Sequence, residues 1–225
     1  MLTDGGVTLP RNKHPEETVA KIMDVSLKLF LEKGFEQTTV LDIVDNLGGL
    51  TRGAFYHHFK TKEEVLIAIF DKESSESSNT SFQKAKDANV DNGLERVRLF
   101  IRYELLANIE NERNAMSKLA LPLLSNPRFL IDNLKSIPKD ASVFIPFIEE
   151  GIADGSIKPH NPKVIAELGL LLINFWLIPS IFPCEREDSL VKIALIKQIF
   201  DGVGVPIFDE EIVGIMLQIF DSIDW

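Results

Sequence analysis

With 225 residues, of which 45 % are apolar, the chain is long enough for one large domain, or for a small domain and a larger one. A formal net charge of −10 excludes a protein that coats nucleic acid through bulk electrostatic attraction. The single cysteine, Cys184, excludes an internal disulfide. No basic region followed by an apolar run opens the chain, so no signal peptide is expected and a cytoplasmic location is predicted.

The N-terminal residues predict a flexible arm followed by a supporting helix. Residues 1–14 show no periodicity, although their basic side chains are suited to a DNA minor groove. Pro15 fits the first turn of a helix, and Gly34 fits its end. Between them, side chains at helical spacing form one apolar face: Ile22, Val25, Ser26, Leu29 and Phe30.

Residues 38–64 predict two short helices and the start of a third. Thr39 with Asp42, and Thr61 with Glu64, have the spacing of capping boxes. Gly48-Gly49 interrupts the helical pattern, because glycine alone adopts positive φ without a Cβ penalty. The second helix is predicted over residues 51–59, with four apolar residues on its inner side: Leu50, Ala54, Phe55 and Phe59.

The charge of this stretch departs from that of the chain. Residues 46–62 carry three basic side chains and no carboxylate. A helix-turn-helix places its second helix in the major groove, where Arg pairs with guanine and small residues permit close approach. Against this, residues 1–70 hold eight basic and ten acidic side chains, so non-specific affinity should be weak. The alternative is a small helical hairpin with a solvated basic rim.

The segment from Lys21 to Phe70, with KLFLEKGFEQTTVLDIV and GLTRGAFYHHFKTKEEVL, resembles the DNA-binding domain of TetR-family transcriptional regulators. The resemblance implies an all-α fold, with a flexible arm (1–14), a three-helix DNA-binding head with a helix-turn-helix (15–70) and a larger helical ligand-binding and dimerisation body (71–225). The DNA-binding residues that it implies are Thr38, Thr39, Thr51, Arg52, Gly53, Ala54, Tyr56, His57, His58, Lys60 and Lys62. The turn at Gly48-Gly49 is one residue longer than the family's usual turn, an insertion that would rotate the recognition helix.

Residues 74–81, SSESSNTS, form the clearest shift in composition. The shift leaves two interpretations open. It indicates a flexible connection or a frayed helix end, or, by the resemblance, a hinge in the helix that links the head to the body.

From Asp91 onward the pattern predicts helices and no sheet. The predicted segments are 92–111, shorter pieces near 115–124, a helix from Asn126-Pro127 with a break near Pro138, its continuation over 142–151, a long helix after Asn161-Pro162, a helix from Asp188 or Ser189 to about Gly202, and 209–222.

The apolar run 164–184 is interrupted by Glu167, Asn174 and Pro179, so a buried or interfacial helix is expected instead of a membrane span. This helix and the one over 189–201 carry enough apolar surface to need a partner. The resemblance implies a homodimer through its last two long helices, which would read a palindromic operator in double-stranded DNA.

A cavity inside a helical body is the usual place for a small, largely apolar effector. The residues that we expect to line such a cavity are Phe100, Tyr103, Phe129, Phe144, Phe147, Asn174, Phe175 and Trp176. Aromatic residues at helical spacing are more often plain core. Asn174 differs, because an amide in the middle of an apolar run needs a hydrogen-bond partner, which a ligand would supply.

Enzymatic chemistry finds little support in the sequence. The histidines lack the spacing of a metal site, no glycine-rich phosphate loop or Gly-x-Ser-x-Gly elbow occurs, and no cofactor is expected. We therefore predict a ligand-released repressor that is not an enzyme. The alternative is a helical ligand-binding or protein-interaction module that does not read specific DNA.

Overall fold

The computed structural model describes residues 15–107, 109, 119 and 127–222. The chain divides into two compact units, Met1–Ile69 and Phe70–Trp225, hereafter the head and the body. The described residues form ten α-helices, a five-residue π-helix and no strand. The predicted arm (1–14) lies outside the described residues, as do the predicted short helices near 115–124 apart from residue 119.

The head contains α1 (Pro15–Lys33), α2 (Val40–Asn46), α3 (Arg52–His58) and the first turns of α4 (Lys62–Asp87). Its core consists of the apolar faces that the periodicity predicts, and the seven-residue helices α2 and α3 depend on this packing because helices of that length are not stable alone. The side chains that are almost fully buried are Ile22, Phe30, Ile43, Leu47, Phe55, Val65 and Leu66.

The turn between α2 and α3 needs both of its glycines. Gly48 has φ +57° and Gly49 has φ +100°, values that L side chains rarely adopt. Leu47, immediately before them, is fully buried and donates its N–H to the carbonyl of Val44 at 3.1 Å. The predicted interruption is therefore a turn of two glycines with positive φ, which comes directly after the buried side chain of Leu47.

Residues 74–81 are helical, because α4 continues from Lys62 to Asp87. Serine and threonine hydroxyls in a helix can donate a hydrogen bond to the backbone carbonyl one turn earlier. Thr80 Oγ1 donates to Glu76 O in this way, at 2.9 Å. Ser81 is buried. The polar composition thus marks an exposed stretch of helix.

The body continues with α5 (Gly93–Ala107), α6 (Pro127–Ala141), α7 (Ile145–Asp154), α8 (Pro162–Leu171), a π-helix (Leu172–Trp176), α9 (Arg186–Val203) and α10 (Glu210–Ser222). Its core is formed mainly by α5, α7, α8, α9 and α10, with Ala85 of α4 and Ala141 of α6. The largest fully buried side chains there are Phe100, Ile148, Ile157, Ile196, Phe200 and Phe208.

The start of α5 lies directly against the end of α7. Gly93 N–H donates to Asp154 Oδ2 at 2.6 Å, and Leu94 N–H donates to Ser156 Oγ at 3.1 Å. The hydrogen bonds from Ser156 and Gly93 hold the pKa of Asp154 below its ordinary value. The first amides of α5 are therefore satisfied by side chains about sixty residues away.

A charged network joins α5 to the start of α10. Arg102 donates to Asp209, and Arg98 Nε lies 3.6 Å from the same carboxylate. Arg98 also donates to the carbonyl of Pro206 at 2.6 Å, and Asp209 Oδ1 accepts from Ile212 N–H at 2.9 Å. Asp209 thus caps α10 and neutralises two half-buried guanidinium groups.

Three predicted helix boundaries in the body are wrong. The break near Pro138 is absent, since α6 continues to Ala141. The proline removes one hydrogen bond near the end of the helix, while Ile137 and Ala141 on either side are buried and hold the last turn in the core. The next helix begins at Ile145, not at 142, and α9 begins at Arg186, two or three residues before the predicted start.

Among the described residues, no helix combines the length and the apolarity needed to cross a membrane.

Candidate nucleic-acid interface

Helix α3 presents a polar edge outward and is anchored by aromatic residues from behind. Phe55 is fully buried and Phe59 is nearly so. On the opposite side Arg52, Gly53 and His57 are exposed. Thr51 opens the helix, and its hydroxyl accepts from Ala54 N–H at 3.2 Å. This N-terminal end has the small and polar residues that a major-groove contact requires.

The guanidinium of Arg52 packs against a neighbouring aromatic ring. Its guanidinium carbon lies 5.4 Å from the centroid of the Tyr56 ring, which in turn packs edge-on against Phe55 at 5.5 Å. Within the described part of the chain, no hydrogen bond or ion pair occupies its donors. A stacked guanidinium with open donors is suited to bidentate recognition of a guanine edge.

The polar side chains at the end of α3 make contacts within the head. Lys60 Nζ donates to the carbonyl of Tyr56 at 2.8 Å and so satisfies the last turn. His57 and His58 lie with ring centroids 5.0 Å apart. Burial, with a smaller contribution from His57, lowers the pKa of His58, which favours its neutral form near pH 7.

The start of α2 is a complete capping box. Asp42 N–H donates to Thr39 Oγ1 at 3.1 Å, while Thr39 N–H donates to Asp42 Oδ2 at 2.8 Å. Lys33 lies 2.8 Å from the same carboxylate. The hydrogen bonds from Lys33 and Thr39 hold the pKa of Asp42 well below its ordinary value. Thr39 itself is exposed.

Two predicted DNA-binding residues make contacts within the head. Thr38 is 1 % exposed, and its hydroxyl donates to Gly34 O at 2.8 Å. Lys62 Nζ donates to the carbonyl of Phe35 at 2.7 Å and to that of Glu36 at 3.3 Å. The contacts of Lys62 span 26 and 27 positions of the chain, so the sequence pattern does not contain them.

The second predicted capping box is shifted by one residue. Glu64 N–H donates to Thr61 Oγ1 at 3.2 Å as expected. The carboxylate of Glu64, however, accepts from the N–H of Lys60 at 2.6 Å and not from that of Thr61. It therefore satisfies a backbone group in the turn that follows α3.

The residues predicted to line an effector cavity do not form one cluster. Phe100 and Phe147 pack against Phe82 and against each other, and Phe144 packs against Phe100, with ring centroids between 4.8 and 6.3 Å apart. Tyr103 packs against the same core, whereas Phe129 and Phe175 are buried outside it. Asn174, expected inside an apolar run, is exposed, because the π-helix turns its amide to the surface.

An open groove of about 460 Å³ lies beside the π-helix. Among the described residues that line it, Trp176 is the only one predicted to line an effector cavity. Its other lining residues are Ile181, Phe182, Pro183, Cys184, Asp188, Val191 and Lys192. Lys192 Nζ donates to Trp176 O at 3.0 Å and to Cys184 Sγ at 3.3 Å. Nothing in the sequence pattern distinguishes Lys192, since a lysine on an amphipathic helix is ordinarily solvated.

The head resembles a known family of proteins. The profile of bacterial regulatory proteins of the tetR family matches residues 22–69. The transcriptional regulator TtgR of Pseudomonas putida is 41 % identical over 56 residues, which cover 25 % of this chain and 26 % of TtgR. The chain thus matches about a quarter of that relative's length.

Two further comparisons extend over most of the chain. The uncharacterised regulator YhgD of Bacillus subtilis is 27 % identical over 174 residues, covering 74 % of this chain and 83 % of YhgD. The structure of a TetR-family regulator from Pectobacterium atrosepticum superposes with a TM-score of 0.62 at 23 % identity, covering 87 % of this chain and 98 % of that one. The helix-turn-helix with its aromatic anchors, the profile match and the identity to TtgR agree on one conclusion: residues 22–69 match the bacterial regulatory proteins of the tetR family, and most of the chain shares the fold of the Pectobacterium regulator.

Proposed function

We propose that the protein is a cytoplasmic transcriptional repressor that binds a palindromic operator as a homodimer and leaves it when a small effector binds the body. The observation that carries this proposal is the outward edge of α3, where Arg52 keeps its donors open while Phe55 and Phe59 fix the helix from behind. The matched relatives, TtgR among them, are named as transcriptional regulators.

Unpartnered apolar side chains on α8 and α9 support the homodimer. Val164, Leu168 and Leu171 follow one another at helical spacing on α8, and they are 56 %, 36 % and 40 % exposed. On α9, Val191 and Leu195 are 66 % and 42 % exposed. Apolar faces of this kind on adjacent elements of the chain suit an isologous contact, in which each copy covers the other.

The groove beside the π-helix supports an effector site in the body. Its walls are mostly apolar and aromatic, with the Lys192 ammonium 5.6 Å from the centroid of Trp176 and 5.8 Å from that of Phe182. A largely apolar molecule with an electron-rich group fits such a lining. A coupling of about 1–3 kcal/mol between effector and operator changes DNA affinity by roughly 5- to 150-fold.

Arg52→Ala is expected to relax discrimination at one base pair of each half-site by about 1–3 kcal/mol, because the guanidinium is the open base-reading group of α3. The measurement starts from duplexes that the full wild-type chain selects from a random pool. Single-base variants of the selected sequence are then titrated against both proteins.

Tyr56→Phe is the matched control for Arg52→Ala. It keeps the ring on which Arg52 stacks and removes only the hydroxyl, so it should weaken binding to all duplexes by a similar factor. A random pool from which the wild-type chain enriches no sequence would contradict the repressor. The alternative, a helical module that binds small molecules or proteins without reading specific DNA, would then remain.

The double variant Leu168→Glu/Leu195→Glu is expected to sediment as a single chain of 25.3 kDa, whereas the wild-type protein sediments as two. Charges buried opposite each other in an apolar contact would disfavour association strongly. Leu41→Glu is the control, since Leu41 is a comparably exposed leucine of the head. An unchanged mass for the double variant would place the dimer contact elsewhere.

A further inference from the structure

The groove beside the π-helix contains a cation that no neighbouring carboxylate neutralises. Lys192 is the only cation, and Asp188 the only carboxylate, among the described residues that line the groove. We propose that the groove binds an amphipathic carboxylate, with its anionic group on the Lys192 ammonium and its apolar body against the aromatic walls. The proposal deepens the effector site of the proposed function, and it rests on that function for the link between this site and DNA.

The ammonium has one donor that an anion can take. Lys192 Nζ donates to Trp176 O at 3.0 Å and to Cys184 Sγ at 3.3 Å, and both contacts are half-buried. The third contact, to Phe182 O, is exposed, and its length of 3.4 Å is long for a hydrogen bond between nitrogen and oxygen. A carboxylate oxygen would make a shorter, charge-assisted bond with this third donor.

The contacts of the ammonium do not cancel its charge. Carbonyl and sulfur acceptors carry partial charges only, and in the described part of the chain no carboxylate forms an ion pair with Lys192. Asp188 lies one turn earlier on α9 but makes no such pair. Because Lys192 is half-buried, protein replaces part of its hydration, and this strengthens its attraction for an anion that enters the groove.

The walls of the groove select for an apolar ligand body. Phe182 is 47 % exposed, and Val191 on α9 is 66 % exposed. The volume of about 460 Å³ falls within the range of roughly 300–1,000 Å³ that is usual for ligand pockets. Val191 also belongs to the face proposed for the homodimer, so the groove borders that contact. A small inorganic anion would leave these walls uncovered, and a neutral apolar molecule would leave the ammonium unpaired. An amphipathic carboxylate satisfies both.

A matched pair of probes separates the charge from the apolar body. The probes are para-butylbenzoate and para-butylbenzyl alcohol, which share the apolar part and differ in the anionic group. Trp225→Phe leaves Trp176, a lining residue, as the only tryptophan, so its emission reports occupancy of the groove. The carboxylate should bind about 10-fold more tightly than the alcohol or better. Equal affinities, or no binding of the carboxylate, would overturn the proposal.

Removing the ammonium tests its role directly. Lys192→Met keeps an unbranched apolar side chain, so it should weaken binding of the carboxylate by about 10-fold and leave the affinity for the alcohol unchanged. Lys192→Arg should restore the preference for the carboxylate. Lys197→Met is the matched control, because Lys197 lies on the same helix and pairs with Asp201 at 2.8 Å. Equal loss of both probes by a Lys192→Met protein of wild-type stability would overturn the proposal and assign Lys192 to the end of the π-helix.

Removing the acidic group of the groove gives an independent test that keeps every contact of Lys192. Asp188→Asn should strengthen binding of the carboxylate by about 3-fold, because it deletes a like charge, and should not change the affinity for the alcohol. Glu187→Gln, at the neighbouring carboxylate outside the groove lining, is the control. Weaker binding of the carboxylate to Asp188→Asn would contradict an anion in this groove.

The titrations use the full chain without DNA, so they are decided separately from the repressor. A wild-type chain that selects no duplex would contradict the proposed function, while the probe affinities would still decide the anion site. A chain that selects a duplex but binds the alcohol as tightly as the carboxylate would overturn the anion site alone.

Discussion

Replacing Gly93 by alanine is expected to lower the free energy of unfolding by about 3 kcal/mol or more, the upper part of the range for overpacked sites. A Cβ at this position would lie 2.1 Å from Gly151 N, 2.5 Å from Gly151 Cα and 2.6 Å from Glu150 C. All three atoms belong to the backbone of α7, so no side-chain rotation relieves the clash. Urea unfolding followed by circular dichroism measures the loss.

Two other glycines provide a graded comparison for Gly93→Ala. At Gly151 an added Cβ would lie 2.6 Å from Ile157 Cδ1 and 3.3 Å from Leu94 N, so a flexible side chain can move and the cost should be about 1–2 kcal/mol. At Gly202 nothing lies within 4 Å, and Gly202→Ala should stabilise α9 by up to about 1 kcal/mol. Equal effects at Gly93 and Gly202 would show that α5 and α7 do not meet through their backbones.

Asp209→Ala is expected to lower the free energy of unfolding by about 2–3 kcal/mol. The change removes the acceptor that caps α10 at Ile212, and it leaves two guanidinium groups without this carboxylate. Arg98 and Arg102 are only 19 % and 17 % exposed, so water replaces the lost partner poorly. Urea unfolding again measures the effect, and Asp209→Asn, which retains an oxygen for the cap, should lose less.

Asp221→Ala is the control for Asp209→Ala. Asp221 makes a two-bond pair with Arg186, with both distances 2.8 Å, but the two side chains are 48 % and 55 % exposed. An exposed pair of this kind contributes little to stability, because water solvates both charges. A loss at Asp221 as large as that at Asp209 would contradict the view that burial and the cap determine the cost.

The features of the head that could be predicted from sequence are those set by neighbouring residues. The Thr39–Asp42 capping box forms within four positions, and the Gly48-Gly49 turn depends on backbone freedom alone. The aromatic anchors of α3 follow from helical spacing. These signals are local, so the order and type of the helices in the head agree with the prediction.

The features that could not be predicted depend on contacts between distant residues. Lys62 looks like a free cation in the sequence, yet its ammonium donates to the carbonyl of Phe35, 27 positions earlier. Thr38 was expected at the DNA-binding surface and is buried, whereas Asn174 was expected inside an apolar run and is exposed. Helical periodicity assigns a residue to a face, but whether that face is covered depends on the neighbouring elements.

The charge balance of the head has a consequence for how the protein would search a genome under the proposed function. Residues 1–70 hold eight basic and ten acidic side chains, so few counterions would be released when the protein binds arbitrary DNA. Residence on non-target sequence should be brief, with excursions through solution favoured over sliding. A modest number of copies would then remain available to the operator, because the rest of the chromosome would sequester little of the protein.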